Sequence, residues 1–157
     1  MTTSSLLVVG HAPSANATQI CEAIIHGARS EELAVNCEWR SPFNVDHKDV
    51  LKADAIVLFT TENFGYMNGA LKDFFERIYY PCLDNPKQNE GKPYALVVKA
   101  GNDGSGATRS VQTIVTGLKW REVAEPLLCK GELTTKFIPD CQNLGLTLAA
   151  SLDAQLY

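Results

Sequence analysis

The stretch Thr60-Thr61-Glu62-Asn63-Phe64-Gly65-Tyr66-Met67-Asn68-Gly69-Ala70-Leu71-Lys72-Asp73-Phe74-Phe75-Glu76-Arg77 decides the fold. It follows an apolar run, Ala55, Ile56, Val57, Leu58 and Phe59, that reads as a buried strand. It ends in a segment that puts Leu71, Phe74, Phe75 and Ile78 on one helical face. Between the two lies a polar loop punctuated by glycine. In an open parallel sheet such a loop sits at the carboxyl end of a strand, where ligands bind.

On both sides of this stretch strands and helices alternate. Leu6, Leu7, Val8 and Val9 form a short strand ended by Gly10, and Ile20, Ile24, Ile25 and Ala28 fall at helical spacing within a helix over about 16–29. Residues 33–39 alternate apolar and polar, as in a strand near the sheet edge. Asp46 is the expected N-cap of a short helix over 46–52. The helix after the central loop is expected to stop at Tyr79-Tyr80-Pro81, because proline cannot continue it. Tyr94, Ala95, Leu96, Val97 and Val98 form a fourth strand, followed by a helix through Val111, Ile114, Val115 and Leu118. Leu127, Leu128 and Cys129 give a fifth strand, and Leu144, Leu146, Leu148 and Leu152 lie in a last helix. Repeated strand–helix alternation means an α/β fold, a parallel sheet covered on both faces. No linker or internal repeat interrupts it, so residues 1–157 are expected to form one domain.

Composition sets outer bounds. A 45% hydrophobic, 20% charged chain has the makeup of a globular protein. Its net charge of −4 and lack of basic runs argue against a nucleic-acid partner. Apolar runs are far too short to span a membrane, no leader is visible, and five scattered cysteines without a C-x-x-C pair suit a reduced thiol set. The expectation is a soluble cytoplasmic protein with no metal site, in which Cys82 is the most exposed thiol. Lys72 with Glu76 and Asp73 with Arg77 stand four apart, the spacing of intrahelical ion pairs worth about 0.3–0.5 kcal/mol each. No serine–histidine–acid set or carboxylate pair has supporting context, so hydrolytic chemistry is not indicated and no catalytic side chain is named.

Three loops of unusual composition follow strands one, three and four. The first, His11-Ala12-Pro13-Ser14-Ala15-Asn16-Ala17-Thr18, enters a helix directly. Its small residues let backbone amides approach an anion at a helix N-terminus, although an ordinary capping turn explains the same residues equally well. The second carries the flat rings of Phe64 and Tyr66; the third, residues 100–106, holds Gly101, Gly104 and Gly106, which permit close approach of main chain to a planar ligand.

Together these features resemble the flavodoxin-like FMN-binding proteins, and among them the branch of NAD(P)H-dependent FMN reductases and quinone oxidoreductases. Residues 62–77 are similar to that branch's flavin loop and following helix, and residues 101–106 to its third flavin loop. The resemblance implies a doubly wound three-layer sandwich with a five-stranded parallel sheet in the order 2-1-3-4-5. It implies that Ser14, Ala15, Asn16, Ala17 and Thr18 bind the FMN phosphate, with His11 beside it. Thr61, Glu62, Asn63, Phe64, Gly65 and Tyr66 would hold the isoalloxazine ring, and Gly101, Asn102, Asp103 and Gly104 would close its other side. The sequence departs from the branch at Thr61, where proline is common, and at Ala17, where a hydroxyl residue is usual.

The implied activity is hydride transfer from NAD(P)H through FMN to a quinone or other small acceptor. Two other readings share the fold: an electron carrier serving redox partner proteins, and a binding module that takes no flavin. Many relatives of this kind form dimers, and a homodimer is an option here, though no contiguous apolar stripe marks an interface.

Overall fold

Consecutive apolar residues in β1 (Ser4–Gly10) require cover on both faces, which places this strand inside the sheet. The computed structural model describes residues 2–157. In it β1 pairs in parallel with β2 (Val35–Arg40) on one side and with β3 (Ala55–Asn63) on the other. β3 pairs in turn with β5 (Pro93–Ala100), Ile56 opposite Tyr94 and Thr61 opposite Lys99. The next edge is shared by β6 (Arg121–Glu122), against the start of β5, and β7 (Leu127–Lys130), against its end. A short antiparallel strand, β4 (Tyr66–Met67), folds back on β3.

The expected order 2-1-3-4-5 therefore holds along the parallel core, but among the described residues the sheet has seven strands. The additions are the hairpin strand β4 and the division of the far edge into two segments. Val123 N still donates to the Tyr94 carbonyl at 3.0 Å, residues 124–126 leave the edge between those segments, and Pro126 has no backbone N–H to give to a ladder.

Alternation along the strands sorts the core into two layers. Leu7, Val9, Ile56, Leu58, Leu96 and Val98 pack under α2 (His47–Lys52), α3 (Gly69–Leu83) and α5 (Ser105–Gly117). Leu6, Val8, Val57, Phe59, Ala95 and Val97 pack under α1 (Ala15–Ala28) and α6 (Phe137–Asp153). A four-residue helix, α4 (Pro86–Asn89), lies in the polar connection before β5. Asp46 caps α2 as expected, and Asp49 returns the bond in a capping box. This capping holds the Asp46 carboxyl below its ordinary range.

Two expectations fail here. α3 does not stop at Tyr80 but runs through Pro81 to Leu83. The proline stands in the last turn, where its missing N–H removes one bond, while Cys82 buried beneath it holds the backbone in register. Cys82 is accordingly a core thiol, and burial pushes it up to about 11. Cys37 is the least buried of the five free cysteines. Among the described residues no helix is long and apolar enough to cross a membrane, and no group of His, Cys, Asp or Glu could hold a metal ion.

Candidate functional site

The parallel register brings the carboxyl ends of β1, β3 and β5 side by side: Gly10 faces Phe59, and Thr60 faces Val98. Their loops share one sheet edge.

The loop after β1 begins where packing is tight. A Cβ on Gly10 would stand 2.7 Å from Cys21 Sγ and 3.3 Å from Phe59, so the strand can end this close to α1 only with glycine. Trp39 fixes the same point by donating its indole N–H to the Gly10 carbonyl at 3.0 Å. Ser14 then caps α1, its Oγ accepting from Ala17 N at 3.2 Å, and its carbonyl accepts from Thr18 N at 3.0 Å. Ala15 and Asn16 keep exposed first-turn N–H groups, and the turn carries no acidic residue to compete with an anion. Ala17 turns its methyl into the core, so at that position the site has backbone only; Thr18 is half-buried and Asn16 exposed. His11 meets Phe43 edge-on, ring centroids 5.6 Å apart. Replacing Ser14 by alanine is expected to lower stability by about 1 kcal/mol in urea denaturation, the usual cost of a lost N-cap.

After β3 the structure differs from a plain loop. β3 continues to Asn63 and returns as β4, with Glu62 opposite Met67 and Asn63 opposite Tyr66. The two-residue turn between them is Phe64-Gly65, at φ 54° and 69°. Positive φ at both positions is what a tight hairpin of type I′ requires. Glycine adopts it freely, whereas phenylalanine pays on the order of 1 kcal/mol. The strained Phe64 side chain is fully exposed at the hairpin tip, with Tyr66 exposed beside it. Behind the tip the hairpin is tied down. Asn68 N donates to Thr60 Oγ1 at 3.0 Å, Asn68 Oδ1 caps α3 through Leu71 N at 2.9 Å, and Met67 N donates to Ser110 Oγ at 3.1 Å.

The loop after β5 is shaped by Asp103, which accepts from both Ser105 N and Ser105 Oγ. Those bonds hold its carboxyl below the ordinary range. Gly104, at φ 73°, is the N-cap of α5 and has no side chain with which to cap it. The missing cap comes from the hairpin: Glu62 Oε2 accepts from Ala107 N at 3.1 Å. Gly101 differs from the other two glycines of this loop, Gly104 and Gly106. Its φ is ordinary and a Cβ there would meet nothing within 4 Å, so the protein's own packing does not demand glycine.

The expected residues thus assemble: His11 and Ser14 to Thr18 on one side, Thr61 to Tyr66 in the middle, Gly101 to Gly104 beyond. Within this set Glu62 and Asp103 direct their carboxylates to backbone amides rather than outward. Sequence reading missed Phe43, which the fold sets against His11. It also missed the second duty of Arg77, which bonds Asp73 at 2.8 Å but also donates to the carbonyls of Val45 (2.9 Å) and Pro42 (2.7 Å). Those bonds anchor the segment that carries Phe43. The (i, i+4) spacing of Arg77 gave no hint of them.

A recess of about 380 Å³ opens at the opposite end of the strands, among Ser4, Asp54, Lys92 and Arg121. Its buried Lys92 ammonium donates to the Ala53 carbonyl at the C-terminal end of α2, a helix-end contact that accounts for the charge. The carboxyl edge has the better claim to ligand chemistry.

Residues 24–131 match the family model described as NADPH-dependent FMN reductase. The chain belongs to that family. The match covers the β3–β4 hairpin and the loop after β5 but begins beyond the first loop, so the anion cradle at the start of α1 rests on its geometry. Among solved structures the chain is similar to a flavodoxin from the domain Archaea, at 22% identity and a TM-score of 0.76, over 94% of this chain and 98% of that one. It is also similar to the flavodoxin of Streptococcus pneumoniae TIGR4, at 18% identity and 0.72, covering 94% and 99%. A third is the apo form of the NADH:FMN oxidoreductase EmoB, at 14% identity and 0.69, covering 96% and 90%. At these identities the likeness shows a flavodoxin-like fold. A search of curated proteins found no match.

Proposed function

We propose that the protein binds FMN at the carboxyl edge of its sheet and uses it to pass reducing equivalents from NAD(P)H to a small acceptor such as a quinone. The observation that carries this reading is Gly101, which lies across one sheet edge from a helix N-terminus with no acidic residue in its first turn. A glycine that internal packing does not require leaves room for a flat group to lie against main chain, and a phosphate suits the free N–H groups of Ala15 and Asn16. The donor set fits a phosphorylated planar ligand: Ser14, Asn16, Thr18 and His11 around the anion, and backbone of residues 61–66 and 101–104 around the ring.

FMN, when bound, supplies the hydride chemistry. The chain's part is to orient it. Phe64 and Tyr66 would offer aromatic surface beside the ring, and the peptide groups of residues 63–65 and 101–102 would serve as its hydrogen-bonding partners. No side chain is needed as a general acid or base.

The rim also bears on the choice between a reductase and a carrier. Electron carriers that dock on proteins use acidic surfaces to steer them. Here the Glu62 carboxylate is turned into the joint with α5, and the charge of the exposed Asp103 is offset in part by Lys130. That rim suits a small substrate better than a basic partner protein. In stopped-flow mixing of NADPH or NADH with the FMN-loaded protein, visible flavin absorbance is expected to bleach faster than for free FMN. Equal rates would reject the reductase reading, and a protein that takes up no added FMN would reject flavin binding altogether.

A further inference from the structure

We propose that Glu62 is a positioning residue, whose carboxylate latches the β3–β4 hairpin to the first turn of α5 and so sets the spacing of the two loops that flank the ring. This role rests on the flavin reading above.

The latch arises because α5 cannot cap itself. Helices usually satisfy a first-turn N–H with the side chain of the N-cap residue. Gly104 occupies that place in α5 and has none to offer. Asp103 satisfies Ser105 N locally, and the amide of Ala107 is left to a residue far away in sequence. Glu62 supplies the acceptor at 3.1 Å, in a geometry that also suits the positive end of the helix dipole. A bond between a carboxylate and a first-turn amide is stronger than a neutral one.

The contact is part of a seam. Gly106, Ala107 and Ser110, on the side of α5 toward the hairpin, meet Gly65, Glu62 and Met67 respectively. At Gly106 the approach is backbone to backbone, and at Ser110 the hydroxyl accepts from Met67 N while donating to the Ala107 carbonyl. The loop through Phe64 and Tyr66 is therefore held at a fixed distance from the loop through Gly101 to Gly104, which leads straight into α5. Glu62 is half-buried, and its side chain spans that joint rather than facing the ring space.

The test compares Glu62→Ala, Glu62→Gln and Glu62→Asp by FMN titration and by amide hydrogen exchange of the apoprotein. Glutamine keeps a side-chain carbonyl that can accept from Ala107 N, so E62Q is expected to bind FMN within about twofold of wild type. E62A loses the acceptor, and E62D keeps the charge but is one methylene too short. Both are expected to weaken FMN binding about tenfold, the size of one lost charge-assisted bond. In the apoprotein, E62A and E62D should speed exchange at Ala107 and in residues 64–67 while the strands stay protected.

Unchanged exchange at Ala107 in E62A overturns the latch. Faster exchange with unaltered FMN affinity leaves a helix cap and overturns the positioning role. An E62D that binds FMN as wild type does, beside an E62Q as weak as E62A, shows that charge alone matters and also overturns it. If E62A fails to fold, E62D carries the same comparison. Wild-type protein that takes up no FMN overturns the flavin reading and this role with it, while the exchange arm separately reports whether the latch exists.

Discussion

Gly106→Ala is expected to weaken FMN binding by about tenfold or more, measured by fluorescence titration, although it puts a better helix former into α5. Gly106 is the second residue of that helix. A Cβ at this position would stand 2.0 Å from the Gly65 carbonyl oxygen and 2.7 Å from its carbonyl carbon. Ordinary contacts of this kind lie beyond 3 Å, so hairpin and helix must part by about 1 Å at the point where they flank the proposed ring site. Both partners are backbone, and no rotamer change can relieve the overlap. The hairpin has little freedom to yield, because Met67, Glu62 and Asn68 tie it to Ser110, Ala107 and Thr60. Overpacking of this kind costs typically 1–3 kcal/mol, against about 1 kcal/mol regained in helix propensity. The net loss of stability should be modest and the loss of FMN affinity large. That split separates a site defect from a folding defect. Affinity within twofold of wild type would mean that the seam does not define the site.

The contrast between Gly106 and Gly101 shows how far the sequence could be read. Composition marked both as members of one glycine-rich loop, and the apolar runs before it and before Thr60 located the strands that bring the loops together. Strand order followed from alternation and handed crossovers, which depend on local pattern. What each glycine does depends on what lies opposite it in space. Gly106 faces the backbone of Gly65, Gly101 faces nothing, and no spacing in the sequence distinguishes them. The same limit explains Glu62: nothing in its position within the flavin stretch signals that its carboxylate meets an amide 45 residues away. Phe43 escaped notice because a lone aromatic in a loop carries no periodic signal. Pro81 misled for a related reason. Proline forbids a helix interior, yet with Cys82 buried next to it α3 continues for three residues beyond Tyr80, to Leu83. Local rules were overruled wherever a tertiary contact was strong.

The second large effect is expected beneath the other face of the sheet. Gly145→Ala in α6 should lower stability by about 3 kcal/mol in urea denaturation, the upper end of the usual range for overpacking. α1 and α6 cross with their backbones in contact. A Cβ on Gly145 would stand 2.0 Å from the Ile24 carbonyl oxygen, and one on Gly27 would stand 1.8 Å from that of Gln142. These are reciprocal contacts at one crossing, so Gly27→Ala should cost a similar amount. Once the first methyl has pushed the helices apart, the second meets less resistance, and the double variant should lose clearly less than the sum. The displacement reaches the ligand edge as well. α1 carries Ser14 and the free amides of Ala15 and Asn16 at its N-terminus, while Ile20, Cys21 and Ile24 of the same helix are buried against β1 and β3. Pushing α1 off α6 must either tilt those amides or open the packing at Gly10. G145A should therefore bind FMN more weakly than Ser14→Ala does, even though residue 145 touches no part of the site. A variant within 0.5 kcal/mol of wild type would mean that the two helices can separate freely, and that the cradle at the start of α1 does not depend on their crossing.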